Sequence, residues 1–286
     1  IEGNLLAYLG TLAATVLVWC INRKVMTGLI YNEINKVEDT KVKTVSEYRF
    51  LERFGEVGEY MRLELKMLLR NKRCKASLRS VAMLVIIFSI ILSFSSTYDH
   101  MKSFVQVYSF LGFGMVILIQ LMGFEGNYID GLMTRKESIK SLLTAKYYIY
   151  SLAEIIPLIL LIPAFVMGKA SLLGAVALIF LTTGPVYCIL FQLAVYNHKT
   201  VPLNESITGK QSMNTGMQML ISFGLFIVPT TLYGTLPMLL GQTWAYIVIL
   251  IIGLGFTLTS PMWINNVYVR FMQRRYENME GFRDSK

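Results

Sequence analysis

The apolar positions of this chain are gathered into long runs, and the charged positions fall in the segments between them. A helix rising 1.5 Å per residue needs about 20 apolar residues to cross a hydrocarbon core of roughly 30 Å. On that pattern seven spans are expected, at residues 4–20, 80–96, 104–122, 148–167, 171–196, 216–233 and 244–265. Two of the charged segments keep a helical rhythm of their own. Between residues 47 and 75, Phe50 or Leu51, Phe54, Val57, Met61, Leu65 and Leu68 fall three or four apart, while Arg62, Lys66, Arg70 and Arg73 take another face. That pattern suits a helix lying on an anionic membrane surface, or else a solvated helix packed on neighbouring loops. Gly55 and Gly58 are expected to bend or break it. Between residues 122 and 150, the steps from Ile129 to Leu132 and from Ile139 to Leu142 and Leu143 predict a short amphipathic helix, a turn, and a helix that re-enters the membrane.

Composition agrees with the runs. Hydrophobic residues make up 54% and charged residues 16%, against about 25% charged in an ordinary soluble domain. The net charge of +9 admits nucleic acid as a partner class, but its distribution removes the need for one. With strictly alternating spans, all 27 Lys and Arg except Lys102 and Lys169 fall on one side. The positive-inside rule then puts that side in the cytoplasm, with residue 1 outside and the C-terminus inside. Cys20, Cys74 and Cys188 are far apart and form no CxxC, so neither a disulfide framework nor a zinc site is expected. The chain opens on Ile1, almost inside an apolar run, and reads as the C-terminal part of a longer polypeptide. The expected architecture is an all-α, polytopic transmembrane helical bundle with cytoplasmic amphipathic helices. Its parts are a span ending a preceding membrane section (1–22), a cytoplasmic linker with the amphipathic helix (23–79), a six-span domain (80–266) and a charged tail (267–286).

Chemistry-bearing residues are sparse. Glu154 is the one acid set well inside a span, about 12 Å along the helix from Lys146. Such a group needs a partner, and it serves either as a substrate or proton site or as a buried packing bond. Pro157 and Pro163 should bend the same helix. Gln120 and Gln192 are polar groups in spans, expected to make interhelical hydrogen bonds. Pro229 and Pro237 with Gly234 and Gly241 predict a broken or re-entrant hairpin between the last two spans. His100 and His198 fall on opposite sides of the membrane and form no joint metal site. There is no P-loop, no HExxH and no GxSxG. An enzyme acting on lipid would need polar residues clustered at one depth, and the linear sequence displays none.

With Glu125-Gly126, then Leu132-Met133-Thr134, then Ala145-Lys146, the stretch from 122 to 150 resembles the cytoplasmic docking segment of the membrane subunit of type-2 ABC exporters (the ABC-2 permease family). It departs from the family at Arg135, where the common proline would stand. The tail, from Arg274-Arg275-Tyr276 to Glu280-Gly281-Phe282-Arg283, looks like the end of a bacterial branch of such permeases. The resemblance covers about residues 47–286. It implies an elbow-like helix at about residues 60–75, a six-span bundle, and a coupling helix whose contact residues are Glu125, Asp130, Arg135 and Lys136. It also implies an ABC ATP-binding subunit as partner, with ATP and Mg²⁺ held there and no cofactor in this chain, and a second membrane bundle around a shared pathway. Two other readings stand beside it: a secondary transporter working through Glu154, and a non-transporting scaffold or assembly protein.

Overall fold

The computed structural model describes residues 48–94, 101–134, 136–197, 199–201 and 216–285, with scattered positions between 15 and 27. The expected first span, the loop at 197–212 and both histidines thus lie wholly or largely outside the described residues. Contacts divide the chain into two units, Ile1–Glu47 and Tyr48–Lys286. In the first, the Arg23 guanidinium lies 5.7 Å from the Trp19 ring centroid, and the Thr27 hydroxyl donates to the Arg23 carbonyl at 2.7 Å.

Among the described residues the second unit is all-helical. A 3-10 turn, Arg49–Phe54, leads into α1 (Gly55–Arg70) and α2 (Lys72–Phe94). Then come α3 (Lys102–Leu118), a 3-10 turn Glu125–Tyr128, the short α4 (Ile129–Met133), and α5 (Lys136–Ala153), α6 (Ile155–Leu160) and α7 (Ile162–Val166) in one line. Next, α8 (Leu172–Leu181) and α9 (Tyr187–Tyr196) are joined by a π-helical turn, Thr182–Val186. α10 (Gly216–Leu240), α11 (Gln242–Leu258), α12 (Ser260–Gln273) and α13 (Arg275–Asp284) close the unit. Among the described residues four helices are long and apolar enough to cross a membrane: Lys72–Phe94, Ile139–Leu160, Leu172–Tyr196 and Gly216–Leu240. A fifth follows if α11 and α12, bent by 52°, count as one span. The expected third span is shorter than predicted, because α3 ends at Leu118 and Gln120 lies in the turn beyond it.

Three local outcomes follow from backbone chemistry. The amphipathic segment is two helices, not one. Gly55 (φ 59°) starts α1, and Asn71 leaves it with extended backbone, so Arg73 belongs to the foot of α2. Gly58 does not bend α1; it admits Leu51, whose carbonyl oxygen would lie 1.8 Å from a Cβ there. Pro157 and Pro163 do interrupt their helix, at Glu154 and Leu161, because each ring removes an amide donor and crowds the preceding turn. By contrast α10 runs unbroken through Pro229, Gly234 and Pro237 to Leu240, so no re-entrant hairpin forms there. Hydroxyls of Ser222, Thr230, Thr231 and Thr235 bond to carbonyls four residues back along it. The turn comes only at Gly241, whose φ of 79° suits glycine.

The apolar interior has two large clusters and a small one of Val81, Val85 and Phe113. One large cluster gathers Leu68, Ile117, Leu143, Tyr150, Phe191 and Ile264. The other gathers Leu92, Phe110, Leu161, Leu178, Tyr233 and Ile249. Between them α8 crosses α11 with its backbone in close approach: a Cβ on Gly253 would stand 2.5 Å from the Phe180 carbonyl carbon, and one on Gly184 2.6 Å from the Gly253 oxygen. Small residues at such crossings let backbones touch.

Candidate functional site

The stripe of α1 that faces inward is Gly58, Met61, Glu64 and Leu68, steps of three and four that place an acid in an otherwise apolar face. α1 packs along α5, whose buried positions include Ile139, Leu142, Leu143, Lys146 and Tyr150. A cation stands in that second stripe. The two stripes meet so that Lys146 Nζ lies 2.7 Å from Glu64 Oε1, and both side chains are 2% exposed. The Tyr150 hydroxyl donates to the same oxygen at 2.8 Å. From the turn before α4, Glu125 brings its Oε1 to 2.8 Å from Lys146 Nζ, an ion pair set off the direction of a hydrogen bond. Ser141 of α5 donates to Glu56 of α1 at 3.0 Å, a second tie along the same contact. Burial pushes the Glu64 carboxyl above the usual carboxylate range; Lys146 pulls it back and Glu125 adds to the push. Two carboxylates and one ammonium thus form an ionic knot that joins α1, α5 and the turn Glu125–Tyr128. Arg73 and Cys74 are buried at the foot of α2, near enough for the knot's charges to act on the cysteine sulfur.

The turn carrying Glu125 is held on every side. Met122, fully buried, takes a left-handed φ of 65°, a conformation that costs about 1–3 kcal/mol and persists only where surroundings impose it. Those surroundings are Asn197, donating to the Leu121 carbonyl at 3.0 Å, Gln218, donating to the Ile119 carbonyl at 3.1 Å, and the Val201 amide, donating to the Gly123 carbonyl at 2.8 Å. Asn127 donates to the Phe124 and Val201 carbonyls. The tail completes the cradle. α13 buries Phe282 and Asn278, Thr200 donates to the Phe282 carbonyl at 2.9 Å, and a Cβ on Gly126 would lie 2.7 Å from the Phe282 ring.

From this base α4 stands outward. Ile129 is buried; Asp130, Gly131 and Thr134 are exposed. Asp130 accepts from Arg283 of α13 at 2.8 Å, with both side chains about half exposed.

The four residues expected to meet a partner therefore separate. Asp130 is on the surface. Glu125 is fully buried and faces Lys146, which corrects its placing as a surface contact: a carboxylate beside a buried lysine is held inward by its counter-charge. Arg135 and the side chain of Lys136 lie outside the described residues. The basic face is corrected in the same way. Arg62 pairs with Glu52 at 3.2 Å, Lys66 is half-buried and Arg70 exposed, but Arg73 is 4% exposed and on the next helix. Gln192 accepts from Arg270 at 2.7 Å. Glu154 meets the Tyr187 hydroxyl at 2.6 Å. Sequence reasoning left out Glu64, Tyr150 and Tyr187. The signal for the first was present: an acid in the apolar stripe of one helix and a lysine in that of another, of opposite sign.

Among the described residues no group of three or more His, Cys, Asp or Glu could hold a metal ion.

The chain belongs to a family of unknown function, DUF5687, whose model matches residues 1–285. No curated protein and no solved structure matches the chain.

Proposed function

For this member of that family, we propose the role of membrane permease subunit in an ABC-type exporter. In this reading the chain spans a bacterial inner membrane seven times, with its C-terminus in the cytoplasm. A separate ATP-binding subunit holds ATP and Mg²⁺, and a second bundle completes the pathway. The observation that supports it most is the link between α4 and the spans. A short exposed helix is rooted, through Glu125, in a buried ion pair with Lys146 on a span and, through Lys146, with Glu64 on α1. A push on α4 is carried into α5 and α1 together, because parting the knot would strand charges in an apolar interior. Asp130 is the contact, and Glu125 is the transmitter behind it. α1 keeps Leu63, Leu69 and Arg70 on its outer side, which suits contact with an anionic lipid surface.

Position 131 gives the test. A Cβ on Gly131 meets nothing within 4 Å, so a photo-crosslinking residue or a tryptophan there leaves the fold intact. In membranes of the native host, the expected adduct at position 131 is a chain bearing a Walker A motif. ATP hydrolysis by the purified complex should lose its transport coupling in Gly131→Trp and in Asp130→Ala. Adducts without any such ATPase, or coupling unchanged in both variants, defeat the proposal.

A further inference from the structure

Three helical lines are irregular along their length. Glu154 breaks the line from α5 to α6, the π-helical turn Thr182–Val186 breaks the line from α8 to α9, and Thr259 marks the 52° bend between α11 and α12. The interruptions touch one another. Thr183 and Thr257 hydroxyls are 3.4 Å apart, and the Tyr147 hydroxyl lies against Ser260, Thr257 and Ser151. Broken helices meeting at an ionisable side chain are the usual construction of ion and proton sites in transporters.

Glu154 is fully buried. At the break its amide turns to the Ser151 carbonyl at 3.4 Å and so leaves the Tyr150 carbonyl, its regular partner, open. The Tyr187 oxygen lies 3.3 Å from that carbonyl and 2.6 Å from Glu154 Oε1. Gly114 on α3 makes room for it, since a Cβ there would stand 2.1 Å from the hydroxyl. A tyrosine hydroxyl has one proton to donate. Set between a carbonyl and an ionised carboxylate, it leaves one of the two contacts without a hydrogen. A proton on Glu154 supplies the missing one: the carboxyl donates to Tyr187, and Tyr187 donates to the Tyr150 carbonyl. The other carboxyl oxygen, Oε2, is buried with no partner, a far smaller cost for a neutral acid than for a charge.

No basic group answers Glu154 among the described residues. Lys146, two turns back, is held by Glu64 and Glu125, and Arg270 of α12 by Gln192 and Tyr196. The side-chain hydrogen bond to this carboxyl comes from Tyr187. We propose that Glu154 is an intramembrane proton-binding site, loaded in this conformation and locked to Tyr187 by the proton it carries. Release of the proton then goes with parting of the interrupted segments, since the freed charge has a single donor in place. The inference is independent of the ATP-driven reading.

Infrared spectroscopy of the full chain in lipid vesicles tests it, read at neutral pH. A protonated-carboxyl C=O band is expected, lost in Glu154→Gln and shifted to higher frequency in Tyr187→Phe as the hydrogen bond disappears. Wild-type protein treated with dicyclohexylcarbodiimide, which attacks only the protonated acid, should carry one adduct at Glu154 by mass spectrometry; this reading holds even where the Gln variant does not fold. Absence of both the band and the adduct overturns the site. A band that Tyr187→Phe leaves unmoved overturns the lock.

Discussion

Replacing Lys146 by methionine keeps the length of the side chain and removes the ammonium paired with both Glu64 and Glu125. The fold then holds two carboxylates, 2% and 0% exposed, without that counter-charge. The molecule escapes by taking up protons. Bringing a glutamate to its neutral form at pH 7 from an ordinary value of about 4.3 costs about 3.7 kcal/mol, at about 1.36 kcal/mol per pH unit. Tyr150 still donates to Glu64, and burial has already moved Glu64 toward neutrality, so the total falls short of two such protonations. The expected loss is therefore about 3–5 kcal/mol, the range found when one partner of a buried pair is deleted. Adding Glu64→Gln and Glu125→Gln to Lys146→Met removes every charge, and the triple variant should return to within about 2 kcal/mol of wild type. Reversible unfolding in mixed micelles, followed by tryptophan fluorescence, measures both. A single variant within about 1 kcal/mol of wild type, or a triple variant no better than the single, refutes the reasoning.

Two further predictions rest on separate features. The folded-state value of Glu64 is raised above the reference of 4.5, so the fold favours its protonated form. Its contribution is fully present below pH 4.5 and is lost as pH rises through the raised value. The stability of wild type relative to Glu64→Gln should accordingly fall as pH rises above 4.5, and a rise in unfolding titrations at stepped pH contradicts this. At the α8–α11 crossing, Gly253→Ala drives a Cβ to 2.5 Å from the Phe180 backbone, whereas Gly255→Ala on the same helix meets nothing within 4 Å. The first should cost about 1–3 kcal/mol and the second nothing beyond about 0.5 kcal/mol, measured side by side in the same micelles; equal effects sink the account.

The all-α class was legible because apolar runs of spanning length dominate the chain, and the breaks at Glu154 and Leu161 were legible because Pro157 and Pro163 carry their own steric consequence. The end of α1 at Asn71 was not. Arg62, Lys66, Arg70 and Arg73 keep a helical period across it, so the basic face reads as one helix although the chain turns at Asn71. Pro229 and Pro237 misled in the opposite direction: proline is tolerated inside a spanning helix where its neighbours allow it, and α10 runs on through both. Asp130 was readable as a surface charge on a short helix. Glu125 was not readable as buried, because its partner is Lys146, twenty-one residues on, and because a charge in a polar segment reads as solvated until another element covers it.

The polar layer explains why the linear sequence shows no cluster at one depth while the fold has one. Ser151 and Glu154, Thr182 and Thr183, and Thr257 and Ser260 are short pairs within apolar runs, each a minor blemish in its own span. Each pair also marks the place where its helix is interrupted, so aligning the interruptions aligns the polar groups. The coincidence has a physical reason. An interrupted turn exposes carbonyls that lipid cannot satisfy. The Tyr150 carbonyl, freed at the Glu154 break, meets the hydroxyl of Tyr187, the residue that follows the π-helical turn. The ionic knot at the foot of α4 and the layer across the middle of the bundle are therefore joined by one element, α5. It carries Lys146 at one point and ends against Glu154 at the other.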